Sequence, residues 1–174
     1  MRKRFLAQAL ALVLCSVLLF GCSKPADENP LMTYLGDYSY SDSAICMVYE
    51  RIEGEKDEEG NPLYGIQYRK INDLNGLLAS GSTILIYFYS SMDNGSALIT
   101  ASVEEMASEY NGQMTVVMLD AMQYRALVEK YDIEAVPEFI LKKNGESDKV
   151  FGAFKYDYWT VGDVVYWLNE NGIK

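Results

Sequence analysis

Residues 84–99 read Ile-Leu-Ile-Tyr-Phe-Tyr-Ser-Ser-Met-Asp-Asn-Gly-Ser-Ala-Leu-Ile. The run divides into three parts. Thr83 to Tyr89 is apolar on both faces, the pattern of a strand covered on each side rather than one that faces water. Ser90, Ser91 and Met92 interrupt it. Asp93 then offers a carboxylate that can accept the orphan N–H groups of a helix start. From Ser96 to Tyr110 the apolar residues Leu98, Ile99, Val103 and Met106 recur at helical spacing, and Asn111-Gly112 ends the run. A doubly buried strand that feeds a helix across a short turn is the unit of an α/β sheet.

The chain on either side extends this order. Ala44–Ile52 and Leu63–Ile71 are apolar-aromatic runs, and the charged, glycine-containing segment 53–62 between them predicts a β-hairpin with a solvated acidic tip. Asp73 is placed to cap a short helix through Leu77 and Leu78. Downstream, Met114–Leu119 is a second buried strand, and Tyr124–Tyr131 is a helix built on Leu127 and Val128. Glu138–Lys142 and Val150–Ala153 are strands joined at Asn144-Gly145. Asp157–Asn169 is a last helix, with Val161, Val164, Val165 and Leu168 facing inward. The order from Tyr64 is βαβαβαββα. The crossover rule makes its first three strands a parallel set and its last two an antiparallel edge.

Three stretches give this order a family likeness. Ile84–Ile99, Tyr131–Pro137 (Tyr-Asp-Ile-Glu-Ala-Val-Pro) and Asn144 through Gly152 together resemble the thioredoxin family over residues 64–174. The resemblance implies an α/β, thioredoxin-like mixed sheet flanked by helices on both faces, here with an added N-terminal β-hairpin over residues 36–63. It further implies a cis bond before Pro137 and a peptide-contact groove lined by Met92, Asp93, Asn94, Gly95, Ser96, Ala135, Val136, Pro137 and Gly152. The family's dithiol motif would occupy Asp93-Asn94-Gly95-Ser96, which carry no sulfur, so no thiolate can form there. The family's tryptophan before that motif corresponds to Met92. Its buried proton-relay Asp and Lys correspond to Tyr87 and Met118. Asp93 reads fully as a helix cap, and Ser96 has no base placed near it by sequence.

The chain's start has another character. Arg2, Lys3 and Arg4 precede an uncharged apolar run, Phe5–Phe20, which ends at Gly21-Cys22. This resembles a bacterial lipoprotein signal, with Phe20 a departure from the small residue usual there. It implies a signal peptide over residues 1–21, lipidation of Cys22 and a polar tether over residues 22–35. The protein is then expected on the extracytoplasmic face of a bacterial cell membrane, held through its lipid anchor.

Cys15 leaves with the signal, so Cys46 is the one thiol left and no internal disulfide can form. Cys46 sits in the apolar run Ala44–Val48. It reads as a small buried strand residue, with a reactive thiol acting in trans as the alternative. The chain has no histidine, which excludes His-dependent triads, Cys–His dyads and imidazole metal sites. Its formal charge is −10, and it becomes more negative without the three basic residues of the signal. That excludes nucleic acid as a partner and argues against the domain lying on anionic lipid. Fourteen tyrosines, among them Tyr156, Tyr158 and Tyr166 near Trp159 and Trp167, read as half-buried packing, or as a surface cluster for peptide or glycan.

The expected function is a non-catalytic, membrane-anchored module that binds a peptide or protein partner, with neither cofactor nor metal. Two alternatives stand beside it: a thiol–disulfide oxidoreductase acting through Cys46, and a structural subunit of an envelope complex.

Overall fold

The computed structural model describes residues 29–174; Cys22, the signal segment and the tether up to residue 28 lie outside the described residues. The strands in chain order are β1 (Leu35–Asp37), β2 (Ala44–Lys56), β3 (Pro62–Ile71), β4 (Ile84–Tyr89), β5 (Thr115–Asp120), β6 (Glu138–Lys142) and β7 (Lys149–Val150). The helices are α1 (Leu74–Leu78), α2 (Asn94–Glu109), α3 (Arg125–Lys130) and α4 (Val161–Glu170). All seven strands form one sheet in the order β1-β3-β2-β5-β4-β6-β7.

Strand alternation divides the core into two layers. Leu85, Tyr87, Val116, Met118, Phe139 and Leu141 turn to one face and pack with Val103 and Met106 of α2 and Val164 and Leu168 of α4. Ile84, Ile86, Phe88, Val117, Leu119 and Ile140 turn to the other face. There they meet Leu77 of α1, with Leu127 and Val128 of α3 at the margin. Helices therefore cover both faces, and β4 is buried through its first five residues because each face has a neighbour.

The expected parallel set holds in direction, with β3, β4 and β5 all running the same way, but the three are not all neighbours. Only β4 and β5 pair in parallel, with Tyr87 beside Met118. The hairpin is not appended outside the sheet. Its first arm, β2, lies between β3 and β5 and pairs antiparallel with both. β3 still runs in the same direction as β5, but one strand removed. The apolar run Ala44–Val48 explains the insertion, since all five residues are buried, as a strand with sheet on both sides requires.

Two element boundaries also move, and one expected core residue is exposed. Leu31 and Leu35, expected within the tether, are buried in the second core layer by a 3-10 turn over Pro30–Tyr34 and by β1. The last helix begins at Val161 rather than Asp157, because the Asp163 carboxylate accepts both the Thr160 N–H, at 2.7 Å, and the Thr160 hydroxyl, at 2.8 Å. Leu98 does not join the buried stripe of α2; it is 81% exposed.

Candidate functional site

The turn between β4 and α2 is held by its own polar residues. Asp93 has extended backbone and caps α2, its Oδ2 accepting the Ser96 N–H at 2.6 Å. Ser96 is buried. Its Oγ accepts the Ser90 N–H at 3.3 Å, and its carbonyl accepts the Tyr87 hydroxyl at 2.8 Å and the Thr100 hydroxyl at 2.9 Å. Tyr87 is fully buried, stacks on Phe139 with ring centroids 5.2 Å apart, and has its phenol pushed above the ordinary value by burial. A neutral aromatic ring thus fills the space behind the turn. Among the described residues, no basic side chain hydrogen-bonds to the Ser96 hydroxyl, whose printed partner is the Ser90 N–H.

Pro137 meets this turn from the other side. The Val136–Pro137 peptide is cis. A Cβ on Gly95 would lie 3.6 Å from Pro137 Cδ, so the two segments run close together. The sequence-predicted residues Asp93, Gly95, Val136 and Pro137 therefore come together, with Met92, 88% exposed, and Asn94 on the rim.

Two predicted groove residues do not reach the surface. Ser96 is buried as described. Gly152 is also buried, because the segment expected to be strand through Ala153 turns at residue 152. Gly152 has φ +75°, which a side chain would strain, and it opens a 3-10 turn over Ala153–Lys155.

The cause of that turn is Glu138, which sequence reasoning left as an ordinary strand residue. Its carboxylate is fully buried. Oε1 accepts the N–H groups of Phe139 (2.8 Å) and Gly152 (3.0 Å), and Oε2 accepts that of Ala153 (3.0 Å). Burial raises its pKa above the usual carboxylate value, against the lowering effect of the three amides and of the Lys155 charge. The sequence offers only that Glu138 heads the apolar run Phe139-Ile140-Leu141; its burial, and hence its need for backbone partners, is set by the fold.

These two corners frame a cavity of about 330 Å³. Ala135, Val136 and Pro137 form one wall, and Phe154, Tyr158 and Trp159 stand opposite. Trp159 is fixed edge-on against Phe139 and Phe151, with centroids 5.9 and 5.6 Å apart, whereas Tyr158 is 94% exposed. On the other flank of Ala135 and Val136 lies a cleft of about 300 Å³ containing Met122, Val128 and Ile133. The segment before Pro137 thus lines a cavity of mixed polarity, with Asp157 and Tyr158 at its wall, and a more apolar cleft.

A protein-family model described as Thioredoxin matches residues 70–158, just over half of the 174 residues. The chain belongs to the thioredoxin family. The chain is 33% identical over 76 residues to chloroplastic thioredoxin Y2 of Arabidopsis thaliana, a match covering 43% of this chain and 46% of that protein. It is 29% identical over 82 residues to a thioredoxin of Staphylococcus epidermidis, covering 47% and 78%. The chain thus spans about half the length of the chloroplastic relatives it matches. Among solved structures it is similar to oxidized mitochondrial thioredoxin 3 from Saccharomyces cerevisiae, at 17% identity and TM-score 0.39, covering 42% of this chain and 71% of that one. The family match starts at Lys70, near the end of β3, so β1, β2 and most of β3 fall before it.

Cys46, the one cysteine among the described residues, is remote from this site. Cys46 lies in β2 between Arg69 of β3 and Val117 of β5 and is fully buried. Burial, with a smaller contribution from the Glu50 charge, pushes the thiol up to about 12. It is held protonated and out of reach of another protein's disulfide, so the reactive alternative does not fit its surroundings. Among the described residues, no group of three or more acidic or cysteine side chains is placed to hold a metal ion.

Proposed function

We propose that this chain is a membrane-anchored, non-catalytic thioredoxin-family lipoprotein of the bacterial cell envelope that binds an extended segment of a protein partner beside Pro137. The observation that carries the reading is a contrast at one locus. Two open cavities, one of mixed polarity and one mainly apolar, share Ala135 and Val136 in their lining. The positions where chemistry would occur are filled by a helix cap and a buried, hydrogen-bonded serine. Open hollows supply apolar contact to a ligand, and the absence of a thiol or an activated hydroxyl removes covalent exchange.

The test uses the full-length chain in detergent with two readouts. Insulin reduction by dithiothreitol should proceed no faster with the protein than without it. Photocrosslinking from position 158 in intact cells should capture a discrete partner band, which Phe154→Ala together with Trp159→Ala weakens at least tenfold in a folded variant. Turnover of insulin disulfides, or a partner band indifferent to both substitutions, overturns the proposal.

A further inference from the structure

The sheet ends in a free edge far from Pro137. β1 covers only Arg69–Ile71 of β3. The remainder of β3, from Pro62 to Tyr68, has β2 on one side and no strand on the other among the described residues. The pairing phase shows which backbone groups that edge presents. Asn72 N–H donates to Tyr34 C=O across the β1 side. In an antiparallel ladder alternate residues share that orientation, so Tyr68, Ile66 and Tyr64 turn their N–H and C=O outward. One independent contact agrees: the Ile66 carbonyl accepts from the Gln67 side-chain amide at 3.0 Å, a local substitute for a missing strand.

Just past the end of β1 the same edge borders an open cavity of about 360 Å³ lined by Tyr38, Ile66, Gln67, Tyr68 and Glu104. Tyr38 meets Tyr68 edge-on, with centroids 5.4 Å apart, and Glu104 of α2 accepts the Tyr68 hydroxyl. Nearby cations are already engaged, Arg69 with Glu50 and Lys70 with Asp42. No Lys or Arg pairs with Glu104 among the described residues. The ribbon beyond is acidic, with Glu50, Glu53, Glu55, Asp57, Glu58 and Glu59 against Arg51 and Lys56.

We infer that the free edge of β3 accepts an extended basic peptide segment as an added antiparallel strand in line with β1, with an Arg or Lys side chain seated between Tyr38, Tyr68 and Glu104. Side chains directly opposite one another across a ladder share a face. Ile66 and Tyr68 both face α2, so the peptide residue opposite Ile66 projects into the cavity. Aromatic rings and a carboxylate together suit a guanidinium or ammonium. Main-chain pairing supplies the affinity and the side-chain seat supplies the choice of residue. The acidic ribbon disfavours a second copy of this chain as the occupant.

The experiment titrates the full-length chain in detergent with an acetylated heptapeptide of alternating threonine and arginine, and with its glutamate counterpart. Binding is read by fluorescence anisotropy, and backbone amide exchange is followed by NMR. The arginine peptide should bind at least tenfold more tightly and slow exchange at Tyr64 and Ile66. Ile66→Pro removes an outward N–H and leaves the β2 ladder intact, so it should cost tenfold or more in affinity. Glu104→Gln should reduce the preference for arginine severalfold. If Ile66→Pro fails to fold, the site of exchange protection in the unsubstituted chain decides. Equal binding to folded Ile66→Pro, protection elsewhere, or sedimentation as a dimer through this edge each overturn the inference.

Discussion

Two buried ionisable side chains carry opposite lessons. Cys46 is protonated in the fold and its thiol sits near 12, against a reference of 9.0. The native state therefore holds its proton more tightly than the unfolded chain does. The stability this gives is complete below pH 9 and is lost as pH rises from 9 towards 12. Urea unfolding at pH 8 and pH 10 should show the wild type losing about 1.4 kcal/mol more than Cys46→Ala over that interval, one proton over roughly one effective pH unit. The same side chain should resist iodoacetamide at pH 8 until urea is added. Glu138 also has a raised pKa, so its burial costs stability wherever pH lies above the folded value. As pH falls through its folded pKa towards the unfolded value near 4.5, the wild type should gain stability relative to Glu138→Gln. Glu138→Ala is a different perturbation. It leaves the amides of Phe139, Gly152 and Ala153 without their acceptor, each buried amide costing about 1–3 kcal/mol, and guanidinium titration should place it well below the Gln variant. Cys46 was legible in the sequence because its neighbours are all apolar. Glu138 was not, because its three partners lie 1, 14 and 15 residues away and only the fold brings the last two to it.

Elements follow from sequence where periodicity and caps agree, and depart from it where a distant contact decides. The start of α2 was legible because Asp93 can bond the Ser96 N–H from within the same turn. Asp93→Ala should lower stability by about 1 kcal/mol in urea titration. Leu98, expected on the buried stripe, projects into solvent, since at 3.6 residues per turn it lies well round the helix from the buried Ser96 and Val103. Leu98→Lys should accordingly change stability by no more than about 0.5 kcal/mol, an outcome a buried stripe residue could not give. The place of β2 is the larger departure. Local pattern identified a hairpin, and both arms exist. Which arm would lie against β5 depended on the five buried residues Ala44–Val48 outcompeting the more polar β3, where only Ile71 is buried. Pairing order is a long-range property, and the crossover rule concerns parallel strands of one sheet without fixing which become neighbours.

For the whole molecule, charge and attachment are linked. The formal charge of −10 repels anionic headgroups, and no helix among the described residues is long and apolar enough to cross a membrane. On the proposed reading the acyl chains at Cys22 provide the membrane affinity, and they can. Each acyl methylene contributes about 0.8 kcal/mol, so one chain holds marginally and two or more hold firmly. Attraction mediated by charge would weaken in salt, since the screening length falls to about 3 Å at 1 M. Attachment through acyl chains would not. Fractionation of cells expressing the full chain should leave the wild type in the membrane pellet through washes with 1 M salt and with carbonate, and detergent should release it. Cys22→Ser should move the protein to the soluble extracytoplasmic fraction without changing the unfolding midpoint of the domain, whose described fold begins after that residue. A Cys22→Ser chain that stayed in the pellet and resisted salt would mean that the apolar segment Phe5–Phe20 is retained as the anchor, and the lipoprotein reading would fall while the fold and its groove stood.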